Sequence, residues 1–367
     1  MFGPKAYICE SSFNKNLFNI QKIIGNKNLM LVVKANAYGH GLSEICTFIK
    51  KKPNIILCVF SIKEACQIRD FGLKNKILIF SKIEKEWLGI ALRENFCINL
   101  SCINDFKLIE DFTKKHNQCP SFHLKFDTGM TRLGFDLSDL RKVIKFLKKN
   151  INLPLEGLYT HFATADEGDL GFAHMQLKSF KKIIKSFQSQ KIKIKYTHCS
   201  NSGAVLNLPG SYFNTVRIGM LAYGVFPSNE LNKNIDLFPV MSFCGSIVNL
   251  RRVKKGTQIS YGGVYKTKQE TNIGVVQAGF ADGIARDWYK KGFISYKGKR
   301  YQIAGRICMD QLMIDFENIY PKEGDEVLFF GQRGDDKISI EKIADTLNTT
   351  PYVLLTLIGG RTERYCI

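Results

Sequence analysis

No Cys-x-x-Cys pair occurs among the 11 cysteines of this 367-residue chain, and 11 is an odd number. A disulfide framework and a cysteine-based zinc site are therefore not expected, and no metal is assigned. No stretch reaches the ~18 uninterrupted apolar residues of a membrane span, and the opening Met-Phe-Gly-Pro-Lys-Ala-Tyr-Ile lacks an apolar core of signal-peptide length. A soluble, cytoplasmic protein with no membrane partner is the expectation. Acidic residues are few, 33 against 53 Lys and Arg, which leaves +20. That balance would suit nucleic acid, an anionic membrane or anionic metabolites. The excess is mostly lysine, however, spread through helical segments such as Lys178-Ser-Phe-Lys-Lys-Ile-Ile-Lys185 without a compact Arg and aromatic module. It reads as a solvated outer face, and no nucleic-acid partner is expected.

The length favours two domains. From Leu29 to about Gly224, short apolar strands alternate with amphipathic helices, the mark of parallel α/β architecture. Eight strands are predicted, at Leu29–Val33, Asn54–Phe60, Lys76–Phe80, Phe96–Leu100, Ser121–Phe126, Leu155–Phe162, Ile192–His198 and Phe213–Ile218. Helical patterns such as Ile62–Asp70, Glu84–Glu94, Leu137–Lys149 and Met175–Gln190 lie between them, so a (β/α)8 barrel of the TIM type accounts for residues 1–230. An open dinucleotide-binding sheet would require a Gly-x-Gly-x-x-Gly turn after the first strand, and there is none. Residues 231–367 read as a mainly-β domain of short strands, among them Ile247–Val253, Thr257–Tyr261 and Glu326–Phe330, with helices at Ile340–Asn348 and Tyr352–Ile358.

The working face of such a barrel lies at the strand carboxyl ends. Lys34 and Tyr38 follow the first strand, Lys125 and Arg132 the fifth, His161 the sixth, His198, Asn201 and Ser202 the seventh, and Arg217, Gly219 and Met220 the eighth. Lys34 ends an apolar run, where loss of water favours its neutral, nucleophilic amine, as a Schiff-base lysine requires. Asn201-Ser202-Gly203 and Arg217-Ile218-Gly219-Met220 supply a small hydroxyl and backbone N–H groups in the loops that usually cradle phosphate. A lysine opposite a phosphate cradle suggests pyridoxal 5'-phosphate. Arg217 then selects the reaction. A carboxylate beside the pyridine nitrogen would keep it protonated and make a strong electron sink, whereas an arginine hydrogen-bonds an unprotonated nitrogen and weakens it. Cα deprotonation with quick return of the proton survives, which is racemisation if a second base waits on the opposite face.

The chain also resembles the alanine racemases, through Val33-Lys-Ala-Asn-Ala-Tyr-Gly-His-Gly41, Lys125-Phe-Asp-Thr-Gly-Met-Thr-Arg-Leu-Gly134, Glu156-Gly-Leu-Tyr-Thr-His161, His198-Cys-Ser-Asn-Ser202, Ser260-Tyr-Gly262, Gly279-Phe-Ala-Asp-Gly283 and Gly305-Arg-Ile-Cys-Met-Asp-Gln311. The resemblance implies that Lys34 holds the cofactor and serves as one base, with Tyr261 the base on the other face, aided by the positive or donor character of His161 and Arg217. It implies that Tyr38, Ser202, Gly219 and Met220 hold the phosphate, supported by His198 and Asn201. Arg132 would meet the substrate carboxylate, oriented by Lys125, which in this family commonly carries a carbamate. Because Tyr261 lies in the β domain, a homodimer with shared sites is implied, with Met309 and Asp310 also reaching across to narrow the pocket. D-alanine for peptidoglycan would be the product. Phe280 and Gly360 depart from the tyrosines found in many relatives. A broader racemase acting on serine, a non-catalytic pyridoxal-phosphate carrier and a barrel decarboxylase are the competing readings; the β domain with its Ser260-Tyr261-Gly262 motif speaks against the carrier, and Arg217 and Tyr261 against the decarboxylase.

Overall fold

The computed structural model describes residues 2–367. The chain opens with β1 (Lys5–Ile8) and α1 (Glu10–Ile24), then alternates through β2 (Asn28–Val32), α2 (Lys34–Tyr38), α3 (Leu42–Ile49), β3 (Ile56–Val59), α4 (Ile62–Asp70), β4 (Ile77–Lys82), α5 (Leu88–Arg93), β5 (Phe96–Leu100) and α6 (Ile103–His116). It continues through β6 (Phe122–Lys125), α7 (Leu140–Lys149), β7 (Leu155–Tyr159), α8 (Gly171–Ser189), β8 (Tyr196–His198), α9 (Ser202–Asn207) and β9 (Thr215–Ile218). The strands β2 to β9 form an eight-stranded parallel sheet in the order β8-β7-β6-β5-β4-β3-β2-β9. Strands such as β3 and β5 are buried along their whole length, as expected where helices cover one face and the barrel interior the other. The seam between β8 and β9 is closed by single bonds: Arg217 N donates to Ser200 O at 3.0 Å and Thr197 N to Asn214 Oδ1 at 2.8 Å.

Helix polarity follows the lysine pattern. In α7 only Val143 and Leu147 are buried while the basic residues face out, so much of the +20 charge is a solvated surface. Parallel register sets the interior in rows. Lys125 pairs with Tyr159 and Tyr159 with His198, and below them His123 pairs with Gly157 and Gly157 with Tyr196.

The second sheet contains β10 (Met241–Val253), β13 (Thr271–Gln277), β14 (Phe293–Tyr296), β15 (Lys299–Ile303), β16 (Leu312–Asp315), β17 (Glu326–Arg333), β18 (Asp336–Ile338) and β19 (Glu363–Cys366), with the small pair β11 (Gln258–Ile259) and β12 (Tyr265–Lys266) beside it. Helices α10 (Ile340–Thr346) and α11 (Pro351–Thr356) follow β18. The first strand belongs here too: β1 pairs antiparallel with β10 and parallel with β19. The described chain therefore starts in the second sheet and enters the barrel through α1. The segment expected as one strand over Thr257–Tyr261 stops at Ile259, because Ser260 adopts φ 63° and turns Tyr261 away from the ladder.

Candidate active site

Lys34 stands at the end of β2, where Val33 is fully buried. The four residues after it, Ala35, Asn36, Ala37 and Tyr38, all have φ between 52° and 53°. Four non-glycine residues in a left-handed turn cost on the order of 4–8 kcal/mol, so the surroundings must impose it. Glu64 Oε1 accepts from Ala35 N at 2.7 Å, and Asn36 Oδ1 accepts from Leu42 N at 2.7 Å. The buried His40 ring lies 3.1 Å from both Ala37 O and Tyr38 O through Nδ1, which must carry the proton there. Arg364, from β19, donates through Nη2 to Gly39 O at 2.9 Å. Gly39 itself has φ +79°, and a Cβ there would fall 2.0 Å from Leu355 O, so only glycine lets α11 pack against the turn.

Burial pushes the Lys34 amine below its ordinary value; Arg132 and Arg217 add to this and Glu64 opposes it. Lys125 is pushed down to about 8 by burial, then by Arg132 and Arg217. An amine with that value has an appreciable neutral fraction near neutrality and sits among cations, which favours converting it into an anion. Burial also pushes Asp127 upward, yet the N–H groups of Gly129, Thr131 and Arg132 outweigh it and hold the carboxyl below the usual range. Asp127 thereby orders the loop that carries Arg132, accepting from Gly129 N at 2.8 Å and Arg132 N at 3.0 Å.

Arg217 is 4% exposed and lies inside the barrel. Its Nη1 is 2.6 Å from His198 Nδ1, and its Nη2 reaches Thr160 O at 3.0 Å, His161 Nδ1 at 3.1 Å and Cys199 O at 3.1 Å. These contacts leave Nε without a partner in the chain, as a donor to a ligand atom must be. Burial and then Arg217 hold both His161 and His198 well below the ordinary histidine value. His161 is therefore a neutral ring and can help a neighbour as a hydrogen-bond donor through Nε2, but not as a cation.

The phosphate loops converge. Gly219 N donates to Ser202 Oγ at 3.1 Å, and a Cβ on Gly219 would lie 2.8 Å from Tyr38 Oη. Asn201 is used as the helix cap of α9, its Oδ1 accepting from Ala204 N at 2.9 Å, so it shapes the loop through its backbone. Met220 is fully buried beneath. The hydroxyls of Tyr38 and Ser202 thus meet at the backbone of Gly219, while Lys34 and Arg217 lie close enough to feel each other's charge. That donor set fits pyridoxal 5'-phosphate at its phosphate, aldehyde and ring nitrogen.

Tyr261 and Met309 are not drawn into this cluster: they are 67% and 56% exposed. Asp310 is exposed as well and pairs with Arg361 at 2.8 Å. Gly360 has open space where a Cβ would stand, and Phe280 is 40% exposed.

Sequence models of the alanine racemase N-terminal and C-terminal domains match residues 8–227 and 240–366. The alanine racemase of Desulforamulus reducens is 37% identical over 367 residues, 99% of this chain and 98% of that one. Alanine racemase 1 of Bacillus subtilis is 37% identical over 363 residues, covering 98% of this chain and 92% of its own. The solved alanine racemase of Clostridium difficile 630 superposes with a TM-score of 0.91 at 30% identity, over 100% of this chain and 96% of the other. The chain belongs to the alanine racemase family. It is an enzyme, an isomerase dependent on pyridoxal 5'-phosphate, and alanine is its substrate. The carrier and decarboxylase readings give way, and among the described residues no helix is long and apolar enough to cross a membrane.

Within this racemase, sequence reading missed residues that act through the backbone. Glu64 closes a capping box with Ser61 at the start of α4, and its other oxygen ties down the Lys34 turn. Arg364 gave no signal, because its target is a carbonyl more than 300 positions away. Tyr352 packs its ring 5.9 Å from that of Tyr38 and fixes the hydroxyl's position.

Proposed function

We propose that the enzyme works as a homodimer in which two bases from two subunits face one substrate alanine. The observation that carries this is the separation just described: Lys34 is set in the barrel mouth, while Tyr261 lies exposed on the β domain of the same chain. A second subunit whose residues 231–367 cover the mouth formed by residues 1–230 would supply the missing base. Pyridoxal phosphate, when bound, supplies the electron-accepting ring that acidifies the substrate Cα proton. Lys34 takes or returns that proton on one face through Nζ, the form its depressed basicity favours. Tyr261 of the partner subunit does so on the other through Oη. Arg217 donates to the ring nitrogen from Nε and limits the charge the ring can accept. Tyr38, Ser202, Gly219 and Met220 hold the phosphate, with His161 a neutral donor toward the tyrosine. Arg132 binds the substrate carboxylate, and Lys125, as a carbamate, orients it. Met309 and Asp310 of the partner subunit close the pocket around a methyl group and so favour alanine over serine. D-Alanine supplied for peptidoglycan is the physiological product in this reading.

Subunit mixing tests it. Lys34→Ala and Tyr261→Phe proteins should each be unable alone to racemise alanine in either direction, since every inversion uses both bases. Mixed and re-equilibrated, they should regain activity in the hybrid dimer, which holds one intact site. No recovery from a demonstrated hybrid would refute shared sites.

A further inference from the structure

TIM-barrel interiors are ordinarily layers of branched hydrocarbon, yet beneath Arg217 this one is polar. His123, on β6, is 1% exposed. Its ring fits because the paired residue on β7 is Gly157; a Cβ there would stand 2.4 Å from His123 Cγ and Nδ1. His123 Nδ1 lies 2.9 Å from His198 Nε2, and His198 Nδ1 lies 2.6 Å from Arg217 Nη1.

The direction of every bond in this chain is determined. A guanidinium only donates, so His198 Nδ1 accepts. A neutral His198 then carries its proton on Nε2 and donates to His123 Nδ1, which leaves the His123 proton on Nε2. Burial depresses both rings, His123 to about 3, consistent with two neutral imidazoles. We propose that His123 is a positioning residue of the racemase: by accepting from His198 Nε2 it holds the orientation of the His198 ring and, through it, the aim of the Arg217 guanidinium. The proposal rests on the reading of Arg217 as the donor to the cofactor ring nitrogen.

At the far end, a His123 ring nitrogen, Cys97 Sγ and a Glu156 carboxylate oxygen lie within 4.8 Å of one another. The grouping resembles a cation site, but Glu156 already pairs with Lys76. A cation on His123 Nε2 would also drive the proton to Nδ1, turning the chain against Arg217. The Nε2 atom makes no hydrogen bond within the chain.

The test begins without a variant. Histidine-selective 15N NMR on the cofactor-free and cofactor-loaded proteins should show both His123 and His198 with Nε2 protonated and Nδ1 bare. A proton on Nδ1 of either ring overturns the proposal. His123→Leu should take away the acceptor of the His198 Nε2 proton, shift that proton's signal to the position of an unbonded N–H, and raise half-transamination per racemisation turnover about tenfold, the factor that one hydrogen bond of ordinary net strength controls. His123→Asn, whose carbonyl can take the place of Nδ1 as acceptor, should restore both, which a packing role alone would not explain. An unchanged His198 Nε2 proton signal in His123→Leu overturns the relay. Arg217→Lys in the otherwise unaltered protein separates the two claims: an unchanged half-transamination ratio there refutes the role of Arg217, whereas the 15N result judges His123 alone.

Discussion

Replacing Gly219 with alanine probes the phosphate cradle at its tightest point. The new Cβ would stand 2.8 Å from Tyr38 Oη and 3.1 Å from Tyr38 Cζ. Backbone strain is not the obstacle, since Gly219 has φ −120°. The obstacle is what surrounds the tyrosine. Its ring centroid lies 5.4 Å from Tyr223 and 5.9 Å from Tyr352, and the buried Tyr223 is itself anchored by a 2.9 Å bond from its hydroxyl to Val32 O. The Tyr38 hydroxyl must move by roughly 0.5 Å, and overpacking of this kind costs about 1–3 kcal/mol. Because the displaced group is the proposed phosphate contact, the strain should weaken cofactor binding by about tenfold or more. Titrating cofactor-free protein with pyridoxal phosphate, followed by the visible absorbance of the bound form, measures this directly. Tyr38→Phe removes the clashing oxygen, so Gly219→Ala in that background should weaken binding much less, with a coupling of about 1 kcal/mol. Equal effects of Gly219→Ala in both backgrounds would refute the geometry.

Other perturbations reach the charged groups. Arg217→Glu should raise half-transamination relative to racemisation, because a carboxylate beside the ring nitrogen keeps it protonated; an unchanged ratio, read by loss of cofactor absorbance during turnover, would undercut the arginine's role. Lys125 binds its proton less tightly in the folded state, at about 8, than in the unfolded chain near 10.5. Between those values the unfolded state holds more protons, so stability rises with pH there. In carbon-dioxide-free buffer, the stability of the wild type relative to Lys125→Met should therefore climb from pH 8 toward pH 10.5, by denaturant unfolding; a flat difference would contradict the burial. Intact mass after equilibration with bicarbonate should show Lys125 carrying one carbon dioxide, and Lys125→Ala should not.

The barrel was legible because each of its strands is a short, continuous apolar run between helical patterns. Ends were less so. Leu155–Phe162 was expected as strand, but β7 ends at Tyr159, so His161 lies on a loop where Arg217 can reach it. Ile192–His198 shrinks to Tyr196–His198, since Asn214 caps that edge with its side chain instead of a ladder. The crossing of β1 into the second sheet has no local signature: Lys5–Ile8 pairs with residues 241–244 and 363–366. Lys34, Arg217 and the loops expected to hold phosphate could be singled out because strand ends locate a barrel's chemistry. The left-handed turn after Lys34 was not, because Glu64 and Arg364, from elsewhere in the fold, help to impose it. The His123 relay was hidden for a related reason, as strand register alone brings His123, Gly157 and His198 into one interior.

The central claim is two-base racemisation of alanine, and exchange at Cα tests it most directly. Purified enzyme with pyridoxal phosphate would be incubated in deuterated water with L-alanine and, separately, L-serine, following enantiomer composition and Cα deuterium together. D-Alanine bearing Cα deuterium, formed much faster than D-serine, is the expected result. Exchange into L-alanine without inversion would contradict the second base, and inversion of serine as fast as alanine would contradict the methyl-sized pocket.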